Sequence, residues 1–102
     1  MIDPAALEET LTTPTDFIRW GASVMARAEK EGQLYFGHGT DNAVDESIRL
    51  VLRNLCLPLD SPDRLLTGKL LPAERHCLAD KFNKRVKQRI PLPYLIKEAT
   101  FA

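Results

Sequence analysis

The chain is poor in the features that define several protein classes. It has only two cysteines, Cys56 and Cys77, which lie in no CxxC pattern, so a disulfide scaffold is excluded and free thiols in a reducing compartment are expected. The longest apolar run, from Ile90 to Ile96, contains two prolines and is far shorter than the ~20 residues of a membrane-spanning helix. The first residues lack the basic and apolar regions of a signal peptide. We therefore expect a soluble, cytoplasmic protein with no membrane partner.

Motifs for cofactor binding and catalysis are also missing. The sequence has no GxGxxG, no GxxxxGK[ST], no HExxH, no GxSxG and no CxxC pair. His38, Asp41 and Asp45 are the nearest approach to a metal site, but three ligands in a glycine-bearing loop are too few for zinc and oddly spaced for calcium. We predict no metal, no catalytic residue and no cofactor-binding residue in this segment.

Helix start and stop signals are abundant. Thr13 and Asp16 have the spacing of a capping box, and Gly32 is suited to a left-handed helix end. The pattern predicts an all-α fold, a small bundle of four or five helices with an extended C-terminal tail. The predicted helices are Ala5–Leu11, a second from the Thr13 cap to Gly32, a third from a cap at Asp41 or Asn42 to about Leu55, and a last from Pro72 to about Ile90. Residues 94–102 read weakly as a strand.

Apolar residues at helical spacing predict the buried faces. Trp20 and Phe82 are expected to be core anchors, and Gly21 is expected to mark a close approach between helices. Arg75 and Arg89 project towards the apolar side of the last helix. The predicted core stripes are Phe17, Trp20, Gly21, Val24 and Ala28, then Val44, Ile48, Val51, Leu52 and Leu55, and finally Leu78, Phe82, Val86 and Ile90.

The formal net charge is zero, but the two signs are separated along the chain. Residues 1–46 carry nine acidic and three basic residues (−6), and residues 47–102 carry eleven basic and five acidic residues (+6). Such asymmetry is typical of complementary solvated surfaces or of a charged partner. The basic helix 75–89 leaves two alternative functions open: a free-standing nucleic-acid-binding module, or a helical adaptor for an acidic protein surface.

Three stretches of the sequence resemble one family. They are the loop Tyr35–Asn42 followed by Asp45 and Glu46, the segment Leu57–Asp60, and the stretch containing Arg89, Pro91, Tyr94, Leu95, Glu98, Ala99 and Phe101. Together they are similar to the bacterial glutamine methyltransferases of ribosomal protein L-three, and the last stretch is shared with the sister enzymes that modify release factors. The resemblance covers the chain from about Phe17 to Ala102.

The resemblance implies that substrate recognition and catalysis belong to separate domains. In that family this region is an N-terminal helical domain that recognises the protein substrate, and a strand pair leads into a Rossmann-like catalytic domain. The catalytic domain binds S-adenosylmethionine through a glycine-rich loop and holds the glutamine amide with an Asn-Pro-Pro-Tyr motif, and neither motif occurs here. We therefore expect residues 1–93 to be a substrate-recognition domain, inactive alone, and residues 94–102 to begin the linker to a catalytic domain.

The candidate contact residues follow from the same comparison. They are expected to touch either the large-subunit ribosomal protein or the chain's own catalytic domain: Tyr35, His38, Asp41, Asn42, Asp45, Arg89 and Tyr94. The acidic half of the chain is expected to steer a basic ribosomal protein towards the enzyme.

Overall fold

The computed structural model describes residues 4–34 and 42–96. Within these ranges the chain forms helices and no strand, so the predicted all-α class is confirmed. The helices are α1 (Pro4–Thr10), α2 (Pro14–Lys30), α3 (Ala43–Asn54), α4 (Asp63–Leu66), α5 (Pro72–Val86) and α6 (Leu92–Leu95). None of them combines the length and the apolar character that crossing a membrane requires.

The ends of α2 follow the predicted signals. The backbone N–H of Asp16 donates to Oγ1 of Thr13, and the N–H of Thr13 donates to Oδ2 of Asp16, both at 3.1 Å, which completes the capping box. Partial burial acts to raise the pKa of Asp16, but hydrogen bonds from Thr12 and Thr13 outweigh it and hold the pKa below its usual value. At the other end Gly32 has φ +75°, and Gln33 N–H donates to the carbonyl of Ala28 at 2.9 Å, as in a Schellman motif.

Side chains also cap α3 and α5. Of the two candidates for the α3 cap, Asn42 is the residue used: its Oδ1 accepts the N–H of Asp45 at 2.8 Å. The carboxylate of Glu74 accepts the N–H of Leu71 at 2.8 Å at the start of α5. These bonds satisfy amides that would otherwise have no partner within the helix.

The core forms where α2, α3 and α5 pack together, and α1 covers another side of α5. The ring of Phe82 lies edge-on to Trp20 with centroids 5.4 Å apart, and stacks on Phe17 at 6.3 Å. A Cβ at Gly21 would collide with the Phe82 ring and lie 2.6 Å from the hydroxyl of Ser47. The predictions for Trp20, Phe82 and Gly21 are thus confirmed: the missing side chain lets three helices meet at one point.

The predicted buried face of α3 is partly wrong. Val44 is 53% exposed, although the apolar pattern places it on the buried face. The side of α3 that faces the core includes two polar residues. The buried residues of this helix are Ala43, Glu46, Ser47, Leu50, Val51 and Leu52. The apolar pattern alone misplaces this face because Glu46 and Ser47 find polar partners inside the bundle.

The chain after α5 also departs from the prediction. Helix α5 ends at Val86, and Arg89 lies beyond it, exposed and with φ +57°, so the expectation of a buried-side Arg89 is wrong. Pro91 disfavours helical backbone at Ile90, and the left-handed conformation of Arg89 takes the chain out of the helix before that point. Tyr94 and Leu95 belong to helix α6 rather than to an extended strand, because prolines are tolerated in a first helical turn. Residues 97–102 of the predicted tail lie outside the described residues.

Candidate recognition surface

Helices α3 and α5 run antiparallel, which brings several of the predicted contact residues to one end of the bundle. Near one end Arg85 of α5 pairs with Glu46 of α3, and near the other the thiol of Cys77 donates to Oδ1 of Asn54 at 3.9 Å. The start of α3 therefore lies beside the end of α5, and α6 packs against both helices. We call this region, residues 42–46, 84–89 and α6, the α6 end.

A buried ion pair sits at the α6 end. Nε of Arg85 donates to Oε2 of Glu46 at 2.6 Å, and Nη2 donates to Oε1 at 3.1 Å, with the side chains 4% and 1% exposed. Two parallel bonds between a guanidinium and a carboxylate have one preferred geometry, so the pair fixes how α5 sits on α3. Sequence reasoning missed it. The usable signal was spacing: Arg85 lies three residues after Phe82, on the same buried arc.

Asn42 and Asp45 lie at the start of α3 and are exposed. Besides the capping bond, Nδ2 of Asn42 donates to Oδ2 of Asp45 at 3.1 Å. This pairing orients the Asp45 carboxylate in the first turn of the helix, where the helix dipole favours negative charge. The predicted contacts Tyr35, His38 and Asp41 lie outside the described residues.

Helix α6 presents Tyr94 to solvent. Leu92 and Leu95 are 1% and 3% exposed and join the core, whereas Tyr94 between them is 69% exposed. Two buried anchors on so short a helix hold the aromatic ring outward in a defined place. Of the predicted contact residues that the structure describes, Asn42, Asp45, Arg89 and Tyr94 are therefore all exposed, and all belong to the α6 end.

A shallow cleft lies between the C-terminal half of α2 and the end of α5. It has a volume of about 180 Å³, with Val24, Ala28 and Val86 as apolar lining and Arg27, Glu31 and Gln33 as polar lining. A second groove of about 210 Å³ lies where α3 ends and α5 begins, and its lining includes Leu55, Leu57, Leu65 and Leu70. Sequence reasoning did not anticipate either one, because each is lined by residues from separate elements.

The exposed groups of the α6 end are suited to binding a partner. Within residues 4–34 and 42–96, no three His, Cys, Asp or Glu side chains are grouped so that they could hold a metal ion. The α6 end offers an exposed carboxylate, an exposed guanidinium and an exposed phenol. Such groups can recognise a charged polypeptide through hydrogen bonds, ion pairs and aromatic contact.

Comparison with curated proteins identifies relatives of this chain. No family model and no solved structure matches the chain. Two curated proteins, both named ribosomal protein uL3 glutamine methyltransferase and both from Xylella fastidiosa (strains Temecula1 and 9a5c), are 43% identical to it over 99 residues. The match takes in 97% of this chain, and the chain spans 30% of the length of these relatives. The resemblance to the uL3 glutamine methyltransferases is thus confirmed along almost the whole chain.

Proposed function

We propose that this chain is the N-terminal substrate-recognition domain of a uL3 glutamine methyltransferase. One observation carries the proposal: 43% identity over 97% of the chain to proteins with that printed name, of which the chain spans 30%. A match that covers almost all of this chain but less than a third of each relative is expected for one domain of a multidomain enzyme. Residues 94–102 would then begin the linker, and the enzyme would work in the cytoplasm, where ribosomal proteins are made.

Recognition, rather than chemistry, fits the groups on the described surface. An amide nitrogen is a poor nucleophile, so its methylation needs a site that desolvates and orients it beside the methyl donor. The exposed groups of the α6 end lie on an open surface. The catalytic part, with its S-adenosylmethionine, would belong to the remainder of such an enzyme. In this chain the α6 end contacts the substrate or that catalytic part, and Leu92 and Leu95 anchor α6 in the core.

An exposed carboxylate of the α6 end supports electrostatic attraction of a basic substrate. Ribosomal proteins are rich in lysine and arginine, and Asp45 is an exposed carboxylate at the α6 end. An exposed charge of this kind chiefly raises the rate of association with an oppositely charged partner. We therefore assign Asp45 the task of attracting a basic segment of uL3.

The test is methyl transfer by the full-length gene product to purified, RNA-free uL3, followed by mass spectrometry of the modified glutamine. Asp45→Lys is expected to raise KM about fivefold and to leave kcat within about twofold, because attraction acts before the chemical step. Asp63→Lys is the matched control, since it makes the same charge change on exposed residue 63 of α4. It should leave both parameters unchanged.

Two results would contradict the proposal. The first is a full-length protein that binds S-adenosylmethionine but transfers no methyl group to uL3. The second is an enzyme whose KM for uL3 is unaffected by deletion of residues 1–93. The isolated 102-residue chain should show no heat of S-adenosylmethionine binding in calorimetry, because it contains no glycine-rich loop to hold the cofactor.

A further inference from the structure

The charge around α5 changes from negative to positive along the length of the helix. At its start, Glu74 caps the helix, and α1 lies alongside with the Glu8 carboxylate 3.3 Å from Nδ1 of His76. The second half of the helix and the turn after it carry a series of cations. We call this the basic surface, and its members are Lys81, Lys84, Lys87 and Arg89.

Little negative charge accompanies the basic surface on its own element. Asp80 is the one acidic residue between positions 80 and 96, and it pairs with Lys84 at 3.1 Å. The buried carboxylate of Glu46 is engaged by Arg85, which lies on the inner side of the helix. On this element one carboxylate accompanies the four cations, and the exposed Asp45 lies at the start of the neighbouring helix α3.

The spacing of the cations places them along one strip. Residues three apart on a helix are neighbours, so Lys81, Lys84 and Lys87 follow one another up the same side of α5. Cations near a helix C-terminus also stabilise the helix through its dipole, an effect confined to the last turn. Arg89 lies beyond the helix end at φ +57°, so helix stability does not account for its charge.

An exposed aromatic ring completes the arrangement. Tyr94 is 69% exposed and is carried by α6, which packs on α5 and α3. Proteins that bind single-stranded nucleic acid combine a positively charged track for the backbone with aromatic side chains on which bases stack. An acidic protein surface would use the cations but has no particular need of the ring.

We propose that the basic surface and Tyr94 bind single-stranded RNA, with the cations on backbone phosphates and the ring stacked on a base. The biological role of this contact rests on the proposed function: in a uL3 methyltransferase, the surface would let the domain recognise uL3 in the presence of ribosomal RNA. Within the α6 end, Arg89 and Tyr94 are thus assigned to RNA, and Asp45, which carries the opposite charge, is assigned to the basic segment of uL3.

The test is fluorescence anisotropy of the 102-residue chain with a labelled single-stranded RNA, repeated from about 50 to about 200 mM salt. Lys81→Glu/Lys84→Glu/Lys87→Glu should weaken binding at least tenfold. It should also flatten the dependence of log K on log salt by about two, because each neutralised phosphate of a single strand contributes roughly 0.7 to that slope. Arg19→Glu/Lys30→Glu/Arg64→Glu makes the same charge change at exposed positions outside α5 and should cost less than about threefold. Circular dichroism checks that each variant is folded.

Further variants separate stacking from charge. Tyr94→Ala should weaken binding to single-stranded RNA by about fivefold or more and should leave the salt dependence unchanged. Asp45→Lys should not weaken RNA binding, although it raises the KM for RNA-free uL3. Failure of that KM shift counts against the proposed function alone, because the RNA measurement needs neither uL3 nor methyl transfer.

Three outcomes would overturn the RNA proposal. One is no binding by the unmodified chain at the lowest salt. Another is an equal loss in the two triple variants, which would mean that net charge and not this surface is responsible. The last is binding of polyglutamate more tightly than RNA, which would identify the partner as an acidic protein.

Discussion

Two of the contacts that α5 makes with α2 and α3 differ in kind. Near the middle of the helix the Phe82 ring fills the space above Gly21 and meets Trp20 and Phe17. One turn further on, Arg85 is paired with Glu46 in a region almost closed to water. The aromatic contact is a source of stability because it removes apolar surface from water. We expect the buried ion pair to contribute little net free energy after desolvation, although leaving either charge alone is costly, and we predict that it chiefly specifies the α3–α5 arrangement.

The largest effect is expected from breaking the aromatic contact. Phe82→Ala should lower the free energy of unfolding by ~3–5 kcal/mol, because it removes a fully buried ring and leaves a cavity between three helices. Urea unfolding followed by circular dichroism measures it. Tyr94→Ala is the matched aromatic control, and at an exposed position it should change stability by less than ~0.5 kcal/mol. A decrease below ~1 kcal/mol for Phe82→Ala would contradict the assigned core.

The ion pair should respond differently to single and double replacement. Glu46→Gln should cost about 3 kcal/mol because it leaves the Arg85 charge buried without its counterion, whereas Glu46→Leu/Arg85→Met should recover most of that stability. Asp80→Asn breaks the exposed pair with Lys84 and should cost less than ~0.5 kcal/mol. A double variant as unstable as the single one would show that the pair is a main source of stability.

The close approach at Gly21 can be tested from the other side. Gly21→Ala should destabilise the protein by ~1–3 kcal/mol, because the added methyl group would press on the Phe82 ring and on Ser47. Gly68→Ala, where a Cβ would meet nothing within 4 Å, is the control and should be nearly neutral. Combining Gly21→Ala with Phe82→Leu should cost less than the sum of the two changes if the ring is the obstacle.

The smallest effect concerns the α2 cap, which lies outside both contacts. Because the pKa of Asp16 is lowered in the folded protein, its contribution is present above the pKa of the unfolded chain and is lost as the pH falls through the folded value, below about pH 4. Asp16→Asn should therefore cost about 1 kcal/mol at neutral pH and progressively less in acid. Unfolding free energies of both proteins from pH 7 to pH 2.5 or so check this; parallel pH curves would contradict it.

The candidate site was accessible to sequence reasoning in part. The family resemblance predicted four of the described residues as contact residues: Asn42, Asp45, Arg89 and Tyr94. The structure places all four at exposed positions of one end of the bundle. That they contact substrate or a catalytic domain stays a prediction. The antiparallel packing of α3 and α5, which gathers them, joins residues about forty positions apart, and no local pattern encodes such a pairing.

The sequence by itself determined what depends on neighbouring residues: the all-α class, the Thr13–Asp16 box, the left-handed end at Gly32 and the four longer helices. These features rest on contacts between residues three or four apart, which periodicity and capping rules read directly. Only the tertiary structure decided that α3 buries Glu46 and exposes Val44, and that Leu92 and Leu95 fold back as α6. A charged side chain becomes a core residue when a partner from a distant helix satisfies it, and a proline-rich segment becomes helical when its leucines find a place in the core.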